Sequence, residues 1–177
     1  MEGIDPSNII VIDESGSDLK MASDYARSHG GERAKAPKPH ISGSKFSIIG
    51  AISTTCIEAA MYVKAAVNLE IFETFVEKFL NPKLSAGKYV VMDNINFHKN
   101  DGVIKLIEST GAKVVLLPPY SPDLSPIEKM WSKIKEFLKR SKPRSDAEFH
   151  NALANALYDV NEEDLYGWYE ECGYSMA

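Results

Sequence analysis

The sequence predicts an α/β domain in which a mixed five-stranded sheet is flanked by helices. Three strand-like segments follow one another before any helix, which is typical of an antiparallel meander. Two more strands then alternate with helices, which is typical of parallel crossovers. A chain of 177 residues, 44% of them hydrophobic, is long enough to form one domain with its own core.

The first half of the chain supplies the three consecutive strands. Residues 8–12 are apolar and rich in β-branched side chains, which favours a short buried strand that ends at Asp13. Residues 14–45 are polar and rich in Gly, Ser, Lys and Pro, so we predict an extended or mobile connection there. Residues 46–53 and 56–63 are predicted to form two strands separated by a short turn.

The second half alternates strands with helices and then continues in helices alone. Apolar residues recur with a helical period in residues 69–80, and Asn81-Pro82 is expected to end that helix. The helix at 126–140 carries an apolar stripe that includes Trp131. The remaining elements are strands at 89–92 and 113–117 and helices at 102–109, roughly 146–158 and roughly 162–171.

The charge of the chain is distributed unevenly. The net charge is −5, but residues 129–144 hold seven basic residues and one acid, and residues 146–177 hold eight acids and no Lys or Arg. One interpretation is a solvated helix face followed by an acidic tail. The other is a basic strip that faces DNA phosphates, so an acidic total does not exclude DNA binding. The residues of this basic strip that we expect to contact DNA are Lys129, Lys133, Lys135, Lys139 and Arg140.

Composition excludes several other classes of protein. Cys56 and Cys172 lie far apart and form no CxxC motif, so neither a disulfide framework nor a zinc site is indicated. No apolar run is long enough for a membrane span, and the N-terminal residues lack the regions of a signal peptide. A reducing cytosol fits these features.

Three acids stand where strands or helices begin or end. Asp13 and Asp93 each follow an apolar run, and Glu128 opens a helix after a proline-rich loop. If the strands before Asp13 and Asp93 are parallel, both acids emerge at the sheet edge where open α/β sheets bind ligands. Carboxylate oxygens are ligands for Mg²⁺, so we expect the three side chains to share one metal coordination sphere.

Each acid also has a simpler structural interpretation. A strand-terminal Asp is often only a turn former, and this applies to Asp13 and Asp93. Ser125-Pro126-Ile127-Glu128 matches a capping box, in which Glu128 would reach back to the backbone. The combination favours a site, because Glu128 falls outside the apolar stripe and the prolines from Pro118 to Pro126 stiffen its approach.

The residues around these acids resemble the catalytic domain of DDE-superfamily transposases, in particular the mariner-like branch of bacterial insertion sequences. The resemblance rests on Val-Ile-Asp13-Glu14-Ser, on Val-Met-Asp93-Asn94 with His98, and on Leu-Pro-Pro-Tyr120-Ser-Pro-Asp-Leu-Ser-Pro-Ile-Glu128-Lys-Met-Trp131. The 34 residues between Asp93 and Glu128 match the spacing of that branch. Its fold is the ribonuclease H-like fold, whose strand order agrees with the predicted one.

The resemblance implies an enzyme that cleaves transposon ends and transfers the DNA strands to a target. It implies that Asp13, Asp93 and Glu128 are catalytic and bind two Mg²⁺ or Mn²⁺ ions. Glu14, Asn94 and His98 are expected to support them. Active complexes of the family are dimers, so a homodimer is expected, in the bacterial cytoplasm and in association with the nucleoid.

The domain arrangement departs from the pattern of the family in one respect. We expect residues 1–145 to form the catalytic domain and residues 146–177 to extend it as acidic helices. Members usually carry helix-turn-helix DNA-binding domains first, and the first catalytic strand here begins at Asn8. The expectation is therefore that this domain is absent and that a separate polypeptide or a frameshift-fused N-terminal half supplies it.

Two other functions stay open on the sequence. One is a ribonuclease H-like nuclease without transposition, which the Pro-Tyr-Ser-Pro loop disfavours. The other is an inactive transposase remnant that only binds DNA or dimerises, which the presence of all three acids disfavours. A haloacid-dehalogenase-type phosphatase is weaker, because Asp13-Glu14-Ser15 lacks a second Asp two positions on.

Overall fold

A computed structural model describes residues 4–19, 29–30, 45–95, 98–119 and 121–174. The sheet that these residues form has the order β3-β2-β1-β4-β5, in which β2 pairs antiparallel with β1 and β3. Strand β4 pairs parallel with β1 and β5. The predicted mixed sheet is therefore confirmed. The strands are β1 (Ile9–Asp18), β2 (Lys45–Ile52), β3 (Ile57–Val63), β4 (Tyr89–Met92) and β5 (Lys113–Leu116).

Five α-helices accompany the sheet, close to the predicted positions. They are α1 (Leu69–Phe75), α2 (Asp101–Glu108), α3 (Ile127–Ser141), α4 (Asp146–Tyr158) and α5 (Glu162–Glu171). Helix α1 does not run on to residue 80 as an α-helix, because the chain widens into a π-helical turn at Val76–Leu80. Pro82 then lies in a 3-10 turn, Asn81–Lys83, rather than at the end of the α-helix.

The two faces of the sheet have separate hydrophobic cores. Along β1, Ile9 and Val11 pack on the face covered by α3, α4 and α5. Ile10 and Ile12 pack on the other face, against residues of α1 and α2. Because side chains alternate along a strand, the next two residues, Asp13 and Glu14, also point to opposite faces.

Strand β1 is longer than the sequence predicts, and Asp13 does not end it. The strand continues to Asp18 because its backbone pairs with β2, where Asp13 lies opposite Gly50. Its pairing with β4 stops earlier, at Val11 opposite Val91. Asp13 therefore lies beyond the last β1–β4 pair, at the edge where β4 ends. Most of the predicted 14–45 connection, like Tyr120, lies outside the described residues.

The C-terminal helices complete the core on the α3 face. The ring of Phe149 in α4 stacks on Phe46 of β2, with ring centroids 4.0 Å apart. The hydroxyl of the buried Tyr169 in α5 donates to the carbonyl of Ile52 at 2.8 Å and lies 3.3 Å from that of Ile9. Helices α4 and α5 are therefore tied to the central strands.

Two further features of the described residues bear on the sequence predictions. None of the helices in that part of the chain is both long and apolar enough to cross a membrane. Cys56 is exposed, Cys172 is buried, and both are free thiols.

Candidate active site

A cavity of about 460 Å³ opens where β4 and β5 end, and all three candidate acids line it. Asp13 reaches it from β1, Asp93 from the residue after β4, and Glu128 from the first turn of α3. The wall also contains Asn94 and Lys99. Loop residues close the remaining side, among them Leu117, Pro118, Pro119, Ser121, Pro122 and Ser125.

Asp13 is held from the α3 side of the sheet. The indole Nε1–H of Trp131 donates a hydrogen bond to Asp13 Oδ2 at 3.0 Å. Burial raises the pKa of Asp13 from its ordinary 3.8 to about 7, and the nearby carboxylates of Glu14 and Glu128 add to this rise. The hydrogen bond from Trp131 acts in the opposite direction, since it favours the ionised carboxylate. The ionised form of Asp13 is therefore unfavourable in this setting, and a bound cation would stabilise it.

Asp93 is held from the opposite face by His98. Nδ1 of His98 lies 2.5 Å from Asp93 Oδ1 and 3.3 Å from the Asp93 carbonyl. The Asp93 side chain is 45% exposed, whereas the His98 side chain is fully buried. The imidazole also packs against the ring of Phe72, with centroids 4.5 Å apart. His98 therefore contacts Asp93 directly.

Glu14 completes this arrangement from β1. Its Oε2 lies 3.3 Å from His98 Nε2, within the distance of an ion pair. Burial lowers the pKa of His98, but the contacts with Asp93 and Glu14 outweigh burial and raise it to about 9. The buried ring is therefore a cation between two carboxylates at neutral pH. Of the three residues expected to support the acids, Asn94 lines the cavity, while Glu14 and His98 lie behind Asp93.

The capping box that was the alternative interpretation of Glu128 does not form at the start of α3. The helix begins at Ile127, with Pro126 at the capping position, and no side chain provides a cap hydrogen bond there. A 3-10 turn, Pro122–Leu124, precedes it and brings the chain round from β5. Glu128 is exposed and lines the cavity, as its place outside the apolar stripe predicted.

The donor set suits a hard divalent cation. All three acids offer carboxylate oxygens, and burial together with the charges of Glu14 and Glu128 raises the pKa of Asp13. Within the described ranges, however, no three Asp, Glu, His or Cys side chains lie close enough together to hold one ion. The expectation of a single sphere closed by three carboxylates is therefore not met by the side-chain positions. Water and substrate oxygens, which Mg²⁺ usually keeps as ligands, would have to complete the coordination.

The basic strip on α3 is partly paired with the C-terminal acids. Lys129 Nζ lies 2.5 Å from Glu171 Oε2. Lys133 Nζ lies 2.6 Å from Asp164 Oδ2 and donates to the carbonyl of Asp159 at 2.7 Å. Two members of the basic strip therefore pair with carboxylates of α5, although Lys129 stays exposed.

The other members of the basic strip lie further along α3. Arg140 lies 3.6 Å from Glu136 in an exposed pair within the helix. Lys135 and Lys139 are half-buried. The basic strip therefore places positive charge along α3 from the turn that carries Glu128 to the last turn, in part already matched by carboxylates.

Three residues of the site were not assigned a role from the sequence. Trp131 was placed on the apolar stripe, although a buried indole N–H needs an acceptor, and this could have indicated a partner. Gly50 lies opposite Asp13, and its lack of a side chain leaves room for the Trp131 ring. Lys99 lines the cavity, but one lysine after a turn gives no sequence signal.

A family model described as DDE superfamily endonuclease matches residues 8–150 of the chain. This range includes all three acids, begins one residue before β1 and ends within α4, so that α5 lies outside it. A comparison with curated proteins found no match.

Several solved structures share the fold. A Mos1 transposase paired-end complex with the left transposon end matches with a TM-score of 0.78 and 14% identity, over 94% of this chain and 52% of that one. A mariner Mos1 paired end complex with Mg matches with a TM-score of 0.76 and 16% identity, over 93% and 52%. The catalytic domain of Mos1 mariner transposase matches with a TM-score of 0.70 and 14% identity, over 94% and 77%.

These likenesses confirm the fold expected from the sequence, the ribonuclease H-like arrangement of a mixed five-stranded sheet with flanking helices. The chain spans about half the length of the transposase chains in the paired-end complexes.

Proposed function

The chain belongs to the DDE superfamily endonuclease family, and we propose that it is a transposase catalytic domain that cleaves DNA strands at transposon ends and transfers them to a target. The observation that carries the proposal is the shared cavity of Asp13, Asp93 and Glu128. Each acid comes from a different element, and the fold brings them to the edge where a sheet of this kind binds ligands.

The three acids are proposed to be catalytic and to hold two Mg²⁺ or Mn²⁺ ions. When bound, such ions would activate the attacking hydroxyl group and stabilise the leaving oxygen at the scissile phosphate. His98 keeps the Asp93 carboxylate in one orientation through its 2.5 Å contact. Lys99, which lines the same cavity, would bind a backbone phosphate of the DNA.

DNA is also proposed to contact the basic strip of α3, at Lys129, Lys133, Lys135, Lys139 and Arg140. The basic strip extends from the helix turn that carries Glu128, so a DNA backbone along it would enter the cavity. Phosphates would have to displace the carboxylates that pair with Lys129 and Lys133. Contacts of this type position the DNA without reading its sequence.

The remaining parts of a transposition complex are proposals as well. We propose that the chain acts as a homodimer, and that a helix-turn-helix polypeptide or an N-terminal half fused by frameshifting recognises the transposon ends. The solved structures that the chain resembles include a complex with a transposon end, which supports DNA ends as the partner. Residues 1–145 would be the catalytic domain and residues 146–177 an extension of it, acting on DNA in the bacterial cytoplasm at the nucleoid.

Replacement of Asp93 by Asn tests the proposal. The Asn side chain keeps the size of Asp but removes its charge, so Mg²⁺- or Mn²⁺-dependent nicking of supercoiled plasmid should fall at least 100-fold, as for loss of several kcal/mol of transition-state stabilisation. Thermal unfolding should stay cooperative. Asp101→Asn is the matched control, because Asp101 follows the same loop but does not line the cavity.

Unchanged nicking by the Asp93→Asn variant would reject the proposed site. Joining of an oligonucleotide 3′ end to plasmid DNA separates a transposase from a simple nuclease. Cleavage confined to RNA–DNA hybrids, without joining, would favour the ribonuclease H-like alternative.

A further inference from the structure

A buried hydrogen bond connects α3 to the acid on β1. Trp131, only 2% exposed, donates its indole Nε1–H to Asp13 Oδ2 over 3.0 Å, across 118 positions of sequence. An indole nitrogen can only donate, so this contact requires an acceptor oxygen on Asp13. We propose that Trp131 is a positioning residue that fixes the Asp13 carboxylate for divalent-cation binding, and that Gly50 makes room for it.

Gly50 supports this role through its position on the neighbouring strand. It lies directly opposite Asp13 in the antiparallel pair of β1 and β2, so both residues face α3. A Cβ atom at Gly50 would lie 2.7 Å from Trp131 Cη2 and 3.1 Å from Met130 Cε. Contacts this short force the ring to move. The absence of a side chain at Gly50 therefore allows the indole to lie against the sheet beside Asp13.

The position of the ring matters because Asp13 lies among charges of its own sign. The carboxylates of Glu14 and Glu128 repel its charge, whereas the backbone N–H of Glu14 and the indole N–H of Trp131 donate hydrogen bonds to it. A carboxylate fixed by an outer hydrogen bond loses less freedom when it binds a metal. Loss of such outer partners typically lowers metal affinity or activity about 10–100-fold.

The inference rests on the proposed function, since it concerns how Asp13 is presented to a cation. Its test uses the whole chain with Mn²⁺ as the probe. Mn²⁺ affinity is measured by electron paramagnetic resonance or calorimetry, beside thermal unfolding and plasmid nicking. Trp131→Phe removes the N–H but keeps an aromatic ring in the core, so Mn²⁺ affinity should fall about 10-fold or more.

Met130→Leu is the matched control for packing. Met130 is also buried, and its Cε also lies against the space above Gly50. Its thioether side chain has no N–H or O–H group and cannot donate a hydrogen bond to Asp13. It should leave Mn²⁺ affinity within about twofold of the wild type, since volume-conserving swaps are tolerated. If Trp131→Phe and Met130→Leu lose the same affinity, the role of Trp131 is only to fill the core, and the inference is overturned.

Gly50→Ala tests whether glycine acts through the tryptophan. Alone it should lower Mn²⁺ affinity about as much as Trp131→Phe, because the methyl group displaces the ring. Combined with Trp131→Phe it should add little, because phenylalanine has no atom at the Cη2 position. Full additivity of the two losses would contradict coupling between these residues. If Gly50→Ala does not fold, the comparison of Trp131→Phe with Met130→Leu still decides.

Asp13→Asn separates this inference from the proposed function. If Asp13→Asn keeps both Mn²⁺ affinity and nicking, Asp13 is not part of the site and both ideas fail. If Asp13→Asn abolishes them while Trp131→Phe matches the wild type, only the positioning role fails.

Discussion

At the scale of single residues, the two strand acids are held from opposite sides of the sheet. Trp131 reaches Asp13 from the α3 face, and His98 reaches Asp93 from the face of α1 and α2. This arrangement follows from the alternation of side chains along β1, because the neighbours Asp13 and Glu14 point to opposite faces of the sheet. One short strand segment therefore contributes a cavity ligand and, behind the sheet, a partner for His98.

The buried cation of His98 makes stability depend on pH. Its pKa is about 9 in the folded protein against an ordinary 6.5, so folding binds a proton. The stability from this proton is complete below pH 6.5 and is lost as the pH rises through 9. We expect the melting temperature, measured in chelator, to fall between pH 6.5 and 9 in the wild type. The variant His98→Gln should show a flatter profile.

His150→Gln is the control for that measurement, because His150 is exposed on α4 and distant in sequence from the site. It should keep the slope of the wild type. The raised pKa of Asp13 acts in the same direction, but between pH 3.8 and 7. A slope above pH 7 that is identical in the wild type and His98→Gln would contradict the buried imidazolium.

The sequence predicted which acids line the cavity but not what holds them. Asp13, Asp93 and Glu128 could be identified because each stands at a change of local pattern. Trp131 could not, because an aromatic residue on an apolar stripe fits a core position equally well. The end of β1 was missed for a related reason. Ser15-Gly16-Ser17-Asp18 has little strand propensity, and only its pairing with β2 makes it a strand.

At the scale of elements, α3 connects the cavity, the core and the charged surface. Its first turn presents Glu128 to the cavity, and its buried side carries Trp131. Its exposed side holds lysines that pair with α5. A shift of this one helix would therefore change the position of Glu128, the hydrogen bond from Trp131 to Asp13 and the proposed DNA contacts together.

The pairing with α5 predicts a competition between its carboxylates and DNA. Glu171→Gln frees Lys129, so affinity for duplex DNA should rise a few-fold. The logarithmic salt dependence should steepen by up to about 0.9, which corresponds to one more phosphate contact. Fluorescence anisotropy at several salt concentrations measures both quantities. Lys135→Glu should have the opposite effect, equally for all DNA sequences.

Glu170→Gln is the matched control, because it removes the same charge from the neighbouring position of α5. It should change affinity only through the small change in net charge. If Glu170→Gln and Glu171→Gln behave alike, the ion pair with Lys129 does not limit DNA binding. A loss in Lys135→Glu that depends on DNA sequence would contradict a backbone contact.

Helix boundaries were predicted well where a side chain defines them. Ser145 and Asn161 cap α4 and α5 with hydrogen bonds to the backbone, and both helices match the predicted ranges. The start of α3 was predicted within one residue, although the capping box that Ser125 and Glu128 would allow does not form. Local pattern could not reveal that the carboxylate of Glu128 faces a cavity formed by distant elements.

At the scale of the whole molecule, the C-terminal helices belong to the structure that supports the site. Tyr169 connects α5 to β1 and β2, and the hydroxyl of Tyr174 donates to the Leu124 carbonyl at 2.9 Å. Leu124 lies in the loop that leads to Glu128. The sequence predicted that residues 146–177 extend the domain as acidic helices, but composition does not reveal which residues of a helix are buried.

This connection predicts that α5 and the sheet unfold together. Tyr169→Phe removes a buried hydroxyl and leaves the Ile52 carbonyl without that donor, so the free energy of unfolding should fall by about 1–3 kcal/mol. The loss should appear in one transition, seen equally by circular dichroism and by fluorescence of Trp131 and Trp168. Tyr166→Phe, on the same helix but 42% exposed, should change stability little. If α5 instead unfolds in a separate earlier transition, residues 146–177 are an appendage, and Tyr169→Phe should leave the main transition unchanged.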